Sequence, residues 1–164
     1  MSGRDDVARV LLEYGAAMEA ATRTGATALA LACSGAHEEC VSLLLERGAQ
    51  VQGHDVFGKT PLNAACETGS VPCVKLLLDS GAAVDHAENG GKTPLHIACR
   101  WRHMQTALVL LEHGADPTAR DEEGCTPAGF ARMGGRSGRT LAAAIGLVCE
   151  DRAAGLKALR DLVG

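Results

Sequence analysis

Apolar positions along the chain fall into two kinds of short helical stripe that alternate and recur. Leu62, Ala65 and Cys66, and again Leu95, Ala98 and Cys99, keep the i, i+3, i+4 spacing of a short amphipathic helix. Each stripe follows a Thr-Pro pair, Thr60-Pro61 or Thr93-Pro94. Threonine suits the N-cap, and proline the first helical position, where no N–H is needed. A denser apolar run follows, such as Val74, Leu76, Leu77 and Leu78, and predicts a second helix that stops at Gly81. Glycine there can take the left-handed conformation that closes a helix, and Gly15, Gly48 and Gly114 occupy the same place. The punctuation sets the period. Gly25, Gly58, Gly91 and Gly124 lie 33 residues apart, and Thr27, Thr60, Thr93 and Thr126 keep step with them. A period of this length marks a tandem array of one supersecondary unit.

The clearest unit is Gly91–Ala115, GKTPLHIACRWRHMQTALVLLEHGA. With Thr93-Pro94-Leu95-His96 and, later, Leu110-Leu111-x-x-Gly114-Ala115, it resembles the ankyrin repeat. The resemblance implies an all-α solenoid of stacked helix-turn-helix units with β-hairpin-like loops between them. Residues 1–24 would be an N-terminal half-repeat, 25–57, 58–90 and 91–123 full repeats, and 124–164 a degenerate repeat followed by C-terminal capping helices. Val10, Leu11, Leu12 and Gly15-Ala16 fill the second-helix slots of the half-repeat with interior-type residues. That choice points to a fragment or shortened isoform of a longer array. Departures from the pattern are local: Ala28 replaces the proline, and Ala30 and Asn63 replace the histidine. Ala36 and Arg102 stand where an inter-helix glycine is usual, so local strain or a rearranged turn is expected at both. After Phe130-Ala131 the pattern lapses, and Gly134–Gly138 reads as a flexible interruption. Leu141, Ile145 and Val148, then Leu156, Leu159 and Leu162, predict two capping helices that meet near Cys149–Asp151.

Composition fits thin stacked helices: the chain is 46% hydrophobic but only 2% aromatic, so its core must be a ribbon of small aliphatics between neighbours. A net charge of −4 without any sustained Lys/Arg block argues against nucleic acid and against an anionic membrane surface. No apolar run approaches the roughly 20 residues of a bilayer span, and Met1–Asp6 lacks a signal-peptide core. The expectation is a soluble monomer of the cytoplasm or nucleus. The seven cysteines follow the repeat: Cys33, Cys66 and Cys99 share one slot, Cys40 and Cys73 another. A recurring small apolar slot is core. Same-slot thiols in neighbouring repeats would be about 10 Å apart, beyond the ~7 Å Cα limit for a disulfide. No C-x-x-C pair or zinc-ligand spacing is present, so no metal is expected.

Gly53–Thr60, GHDVFGKT, matches the phosphate-binding pattern G-x-x-x-x-G-K-T. Its context does not: a short polar segment precedes it and Pro61 follows directly, and Gly91-Lys92-Thr93-Pro94 repeats the ending one unit later. His96 is expected to link neighbouring turns by hydrogen bonds, as the resemblance implies. The other histidines have no nucleophile or carboxylate at relay spacing, so neither catalytic nor cofactor-binding residues are assigned and no enzyme is expected.

The resemblance leaves hairpin tips and the outer face of each first helix free to form a concave binding surface. On this chain those positions include Val56, Phe57, Lys59 and Glu67 in one repeat and Asn89, Lys92, Arg100 and Trp101 in the next. Trp101 is the only Trp and favours binding, since Trp and Arg dominate interface hot spots. Phe57 reads equally as an anchor or as packing beneath a neighbouring hairpin. The implied function is a non-catalytic scaffold or adaptor for a protein partner. Two rivals are the substrate-recognition part of a ubiquitin ligase, similar to ankyrin-repeat and SOCS-box proteins, and direct inhibition of a kinase. The box would need a Leu-Pro-type motif after the array, yet all five prolines lie within repeats.

Overall fold

The computed structural model describes residues 17–133 and 135–163. Contacts divide the chain into two compact units, Met1–Ala82 and Ala83–Gly164. The first holds α1 (Ala28–Ser34), α2 (Glu38–Glu46), α3 (Pro61–Thr68) and α4 (Val71–Asp79). The second holds α5 (Pro94–Trp101), α6 (Met104–Glu112), α7 (Pro127–Arg132), α8 (Gly135–Glu150) and α9 (Arg152–Val163). The fold is all-α. The loops between repeats are turns, with one isolated antiparallel bridge, Ala21–Thr27, among the described residues. Val10–Gly15, on which the half-repeat rests, lie outside the described residues.

Within each unit a repeat's two helices pack together and first helices stack on first helices, α1 on α3 and α5 on α7. The interface is built from the recurring slots. Leu29, Leu62 and Leu95 are buried on the first helices, and Cys33, Cys66 and Cys99 are fully buried one turn later. On the second helices Leu44, Leu77 and Leu110 fill one equivalent position. Cys40 and Cys73 are also buried, and every described cysteine is a free thiol. Burial pushes the Cys33 and Cys99 thiols far above their ordinary range, which keeps them protonated and inert as nucleophiles.

Thr60 and Thr93 cap α3 and α5 with proline following, as the Thr-Pro pairs predict. Each cap is closed from the third helical residue. Asn63 Oδ1 accepts from the Thr60 backbone N–H at 3.0 Å, and His96 Nδ1 from that of Thr93 at 3.1 Å. This reciprocal capping satisfies two helix-end donors at once. The inter-helix position is left-handed in all three repeats, with φ +54° at Ala36, +72° at Gly69 and +62° at Arg102. Only glycine takes this conformation freely; an L-residue gives up about 1–2 kcal/mol, so Ala36 and Arg102 carry the strain their positions imply.

The C-terminal region corrects one expectation. Gly135–Gly138 belongs to the first turn of a sixteen-residue helix, α8, and is not a flexible interruption. The reason is close packing: a Cβ on Gly138 would stand 2.0 Å from the Ala131 carbonyl oxygen of α7. Gly155 plays the same part between α8 and α9, where a Cβ would fall 2.2 Å from the Val148 backbone nitrogen. These glycines let helix backbones approach; they do not loosen the chain. Asp151 separates α8 from α9, and Leu141, Ile145, Val148 and Leu159 are buried as their periodicity requires. Leu162 is not: it fits the spacing but stays exposed near the end of α9.

Candidate partner-binding surface

Two hairpin tips, at residues 55–58 and 121–124, are each held by a single aspartate. Asp55 Oδ1 accepts the backbone N–H of Phe57 at 2.8 Å and of Lys59 at 2.9 Å. Asp121 Oδ1 does the same for Glu123 at 3.0 Å and Cys125 at 2.8 Å. The D-x-x-G spacing that produces this turn was present in the sequence, but neither aspartate was among the residues expected to matter there. Neighbouring tips are joined within each unit, the Val56 N–H donating to the Thr24 carbonyl at 2.9 Å and the Glu122 N–H to Gly90 at 3.1 Å. The glycine of the hairpin makes this approach possible. At Gly91, with φ +77°, a Cβ would meet the Glu122 backbone nitrogen at 2.9 Å.

On these fixed turns the residues expected to bind a partner divide by what holds them. Val56, Phe57 and Trp101 are 61%, 56% and 53% exposed. Phe57 therefore does not pack beneath a neighbouring hairpin. Lys59 Nζ pairs with Glu67 Oε1 at 2.5 Å, so two of the expected contacts neutralise each other. Lys92 Nζ stands 3.9 Å from the buried Asp121 Oδ2, an oxygen with no hydrogen-bond donor. Lys92 thus balances a buried charge. Asn89 is exposed at its hairpin tip, and Arg100 is exposed in the last turn of α5, with no ion-pair partner among the described residues. In the second unit Arg100 of α5 and Arg102, which follows the helix as its C-cap, line a cleft of about 460 Å³ with Glu123, Cys125, Phe130 and Met133. Sequence reasoning missed Arg102, Phe130 and Met133 as surface residues, because Arg102 was read only as a strained turn.

His96 supports this face from below. Its Nδ1 accepts from Thr93, which leaves Nε2 to carry the proton and donate to the Cys125 carbonyl at 3.1 Å. The imidazole also meets Phe130 edge to face, with centroids 5.8 Å apart. One repeat earlier Asn63 closes the same cap but is shorter, and its Nδ2 is buried without a partner. Burial lowers the His96 pKa below its ordinary value. The unfolded chain therefore takes up a proton at a pH where the folded chain does not. Stability is full above about pH 6.5 and falls as pH drops below it, until the folded pKa is reached. Thermal melts at about pH 7.5 and pH 5 should show a larger loss for the natural chain than for His96→Asn. Equal losses would mean that His96 is not buried in its neutral form.

Gly53–Thr60 forms the hairpin and cap just described, with no strand before it. Thr60 is buried, and its hydroxyl is engaged by Asn63 Oδ1 at 2.5 Å, so the segment is not built as a phosphate loop. Asp121, Glu123 and Cys125 bring three possible metal-ligand atoms within 4.8 Å of one another. Asp121 Oδ1 is already saturated by two backbone N–H groups, and a cation at Oδ2 would face Lys92. This cluster fits a turn better than a metal centre.

A 33-residue period, Thr-Pro-capped helices and aspartate-locked hairpins define a tandem helical repeat protein that displays side chains from rigid turns. The family model for ankyrin repeats matches residues 1–55 and 50–121, with three copies. The chain belongs to the ankyrin-repeat family, whose repeats are generic protein–protein interaction modules and in general not enzymes. A comparison with curated proteins found no match.

Proposed function

We propose that this protein is a non-catalytic scaffold or adaptor that holds a protein partner on its hairpin tips and first helices. Each unit contributes its own patch, Val56 and Phe57 in the first, Arg100 and Trp101 in the second. One observation carries the reading. In a chain that is 2% aromatic, Phe57 and Trp101 stand in solvent at positions the repeat leaves free, on backbone fixed by Asp55 and by the α5 cap. An exposed ring on a preorganised support gives a partner contact area with little ordering cost. The experiment is affinity capture with the tagged full chain beside a Val56→Ser/Phe57→Ser/Trp101→Ser variant of equal helicity. Partners held by the natural chain and lost from the variant are the expected result, and their identity separates ligase, kinase and other partners. The same partners on both would place the binding surface elsewhere.

A further inference from the structure

We propose that the cleft between the end of α5 and α7 receives an acidic and apolar segment of the partner, its carboxylate taken by Arg100 and Arg102 and a large apolar side chain by Phe130 and Met133. This rests on the interaction-module reading and gives the partner a chemistry. The cleft, about 460 Å³, is sized for one or two side chains and has two halves of different character. Its α5 side carries two guanidinium groups against one carboxylate, Glu123, in a chain whose net charge is −4. Arginine's planar fork matches a carboxylate with two parallel hydrogen bonds, which a lysine cannot do.

Arg102 adds a separate reason. It holds φ +62° at the slot that Gly69 fills one repeat earlier, although glycine would remove the backbone cost. From that position its side chain lines the cleft, which a glycine would not do. The opposite wall is apolar. Phe130 is half-buried and fixed by its contact with His96, whereas Met133 is 79% exposed and its flexible thioether adapts to different apolar shapes. Glu123 and this apolar wall disfavour a continuous polyanion such as nucleic acid; a single carboxylate next to a ring or branched side chain suits both halves.

Selection of a random twelve-residue phage-displayed peptide library on the full chain tests this. Enriched peptides are expected to carry Asp or Glu within three positions of Leu, Phe, Trp or Met. By fluorescence polarisation, Arg100→Glu should weaken an enriched peptide about tenfold or more, and replacing the peptide's acidic residue with lysine should restore binding to that variant. Arg102→Gly should weaken the same peptide while raising the melting temperature, a pair of opposite shifts that a merely structural Arg102 would not give. Enriched peptides without an acidic residue, unchanged affinity on Arg100→Glu, or no enrichment at all would overturn the proposal. Peptides that depend on Trp101 but not on Arg100 would overturn it and leave the interaction-module reading standing.

Discussion

Replacing Leu77 with alanine is expected to destabilise the folded chain by about 2–5 kcal/mol, the range for truncating a fully buried leucine. Leu77 has no exposed surface and lies on α4, which packs against both α3 and α2. Its loss therefore weakens one helix pair and its contact with the preceding repeat together. Because repeat stability is a sum of unit and nearest-neighbour terms, damage at one slot is not shared out over a large central core. Urea unfolding followed by far-UV circular dichroism reads the change as a lower midpoint. A shift worth less than about 1 kcal/mol would mean that α4 is not packed as described.

Trp101→Ala should do the reverse. More than half of the Trp101 surface is in solvent at the end of α5, so folding stability should change by no more than about 0.5 kcal/mol. Affinity for a captured partner should fall by about 2 kcal/mol or more, roughly thirtyfold, because an exposed tryptophan beside an arginine has the size and polarity of an interface anchor. The two substitutions thus separate packing from recognition: Leu77 acts on folding, Trp101 on binding.

Much of this was legible in the residues, because the repeat states each rule several times. Thr60-Pro61 and Thr93-Pro94 mark helix starts by local chemistry, and Cys33, Cys66 and Cys99 disclose a buried slot by recurring in it. The glycine usual between the two helices left strain or a rearranged turn open at Ala36 and Arg102, and both keep the left-handed conformation. What repetition did not cover was harder to read. Gly138 suggested looseness, since a glycine needed for close helix contact looks, in sequence, like one needed for freedom; only the 2.0 Å that would separate an added Cβ from the Ala131 carbonyl oxygen distinguishes the two. At the surface, the place of Val56 and Trp101 on the free face followed from the frame, whereas Phe57 read equally as exposed or packed until its exposure was seen. The pairing of Lys59 with Glu67 and the closeness of Lys92 to Asp121 were not, because they depend on where flexible side chains settle across a turn. The cleft was missed for a similar reason: Arg102, Cys125 and Phe130 meet there from three different segments.

The most direct measurement is calorimetric titration of a captured partner into the natural chain, Trp101→Ala and Leu77→Ala, with the folded fraction of each determined by circular dichroism in the same buffer. The account predicts that Trp101→Ala stays folded and binds at least about thirtyfold more weakly, while the folded fraction of Leu77→Ala binds with natural affinity. A Trp101→Ala chain that unfolds as readily as Leu77→Ala, yet binds with undiminished affinity when folded, would make Trp101 part of the core and contradict the proposed surface.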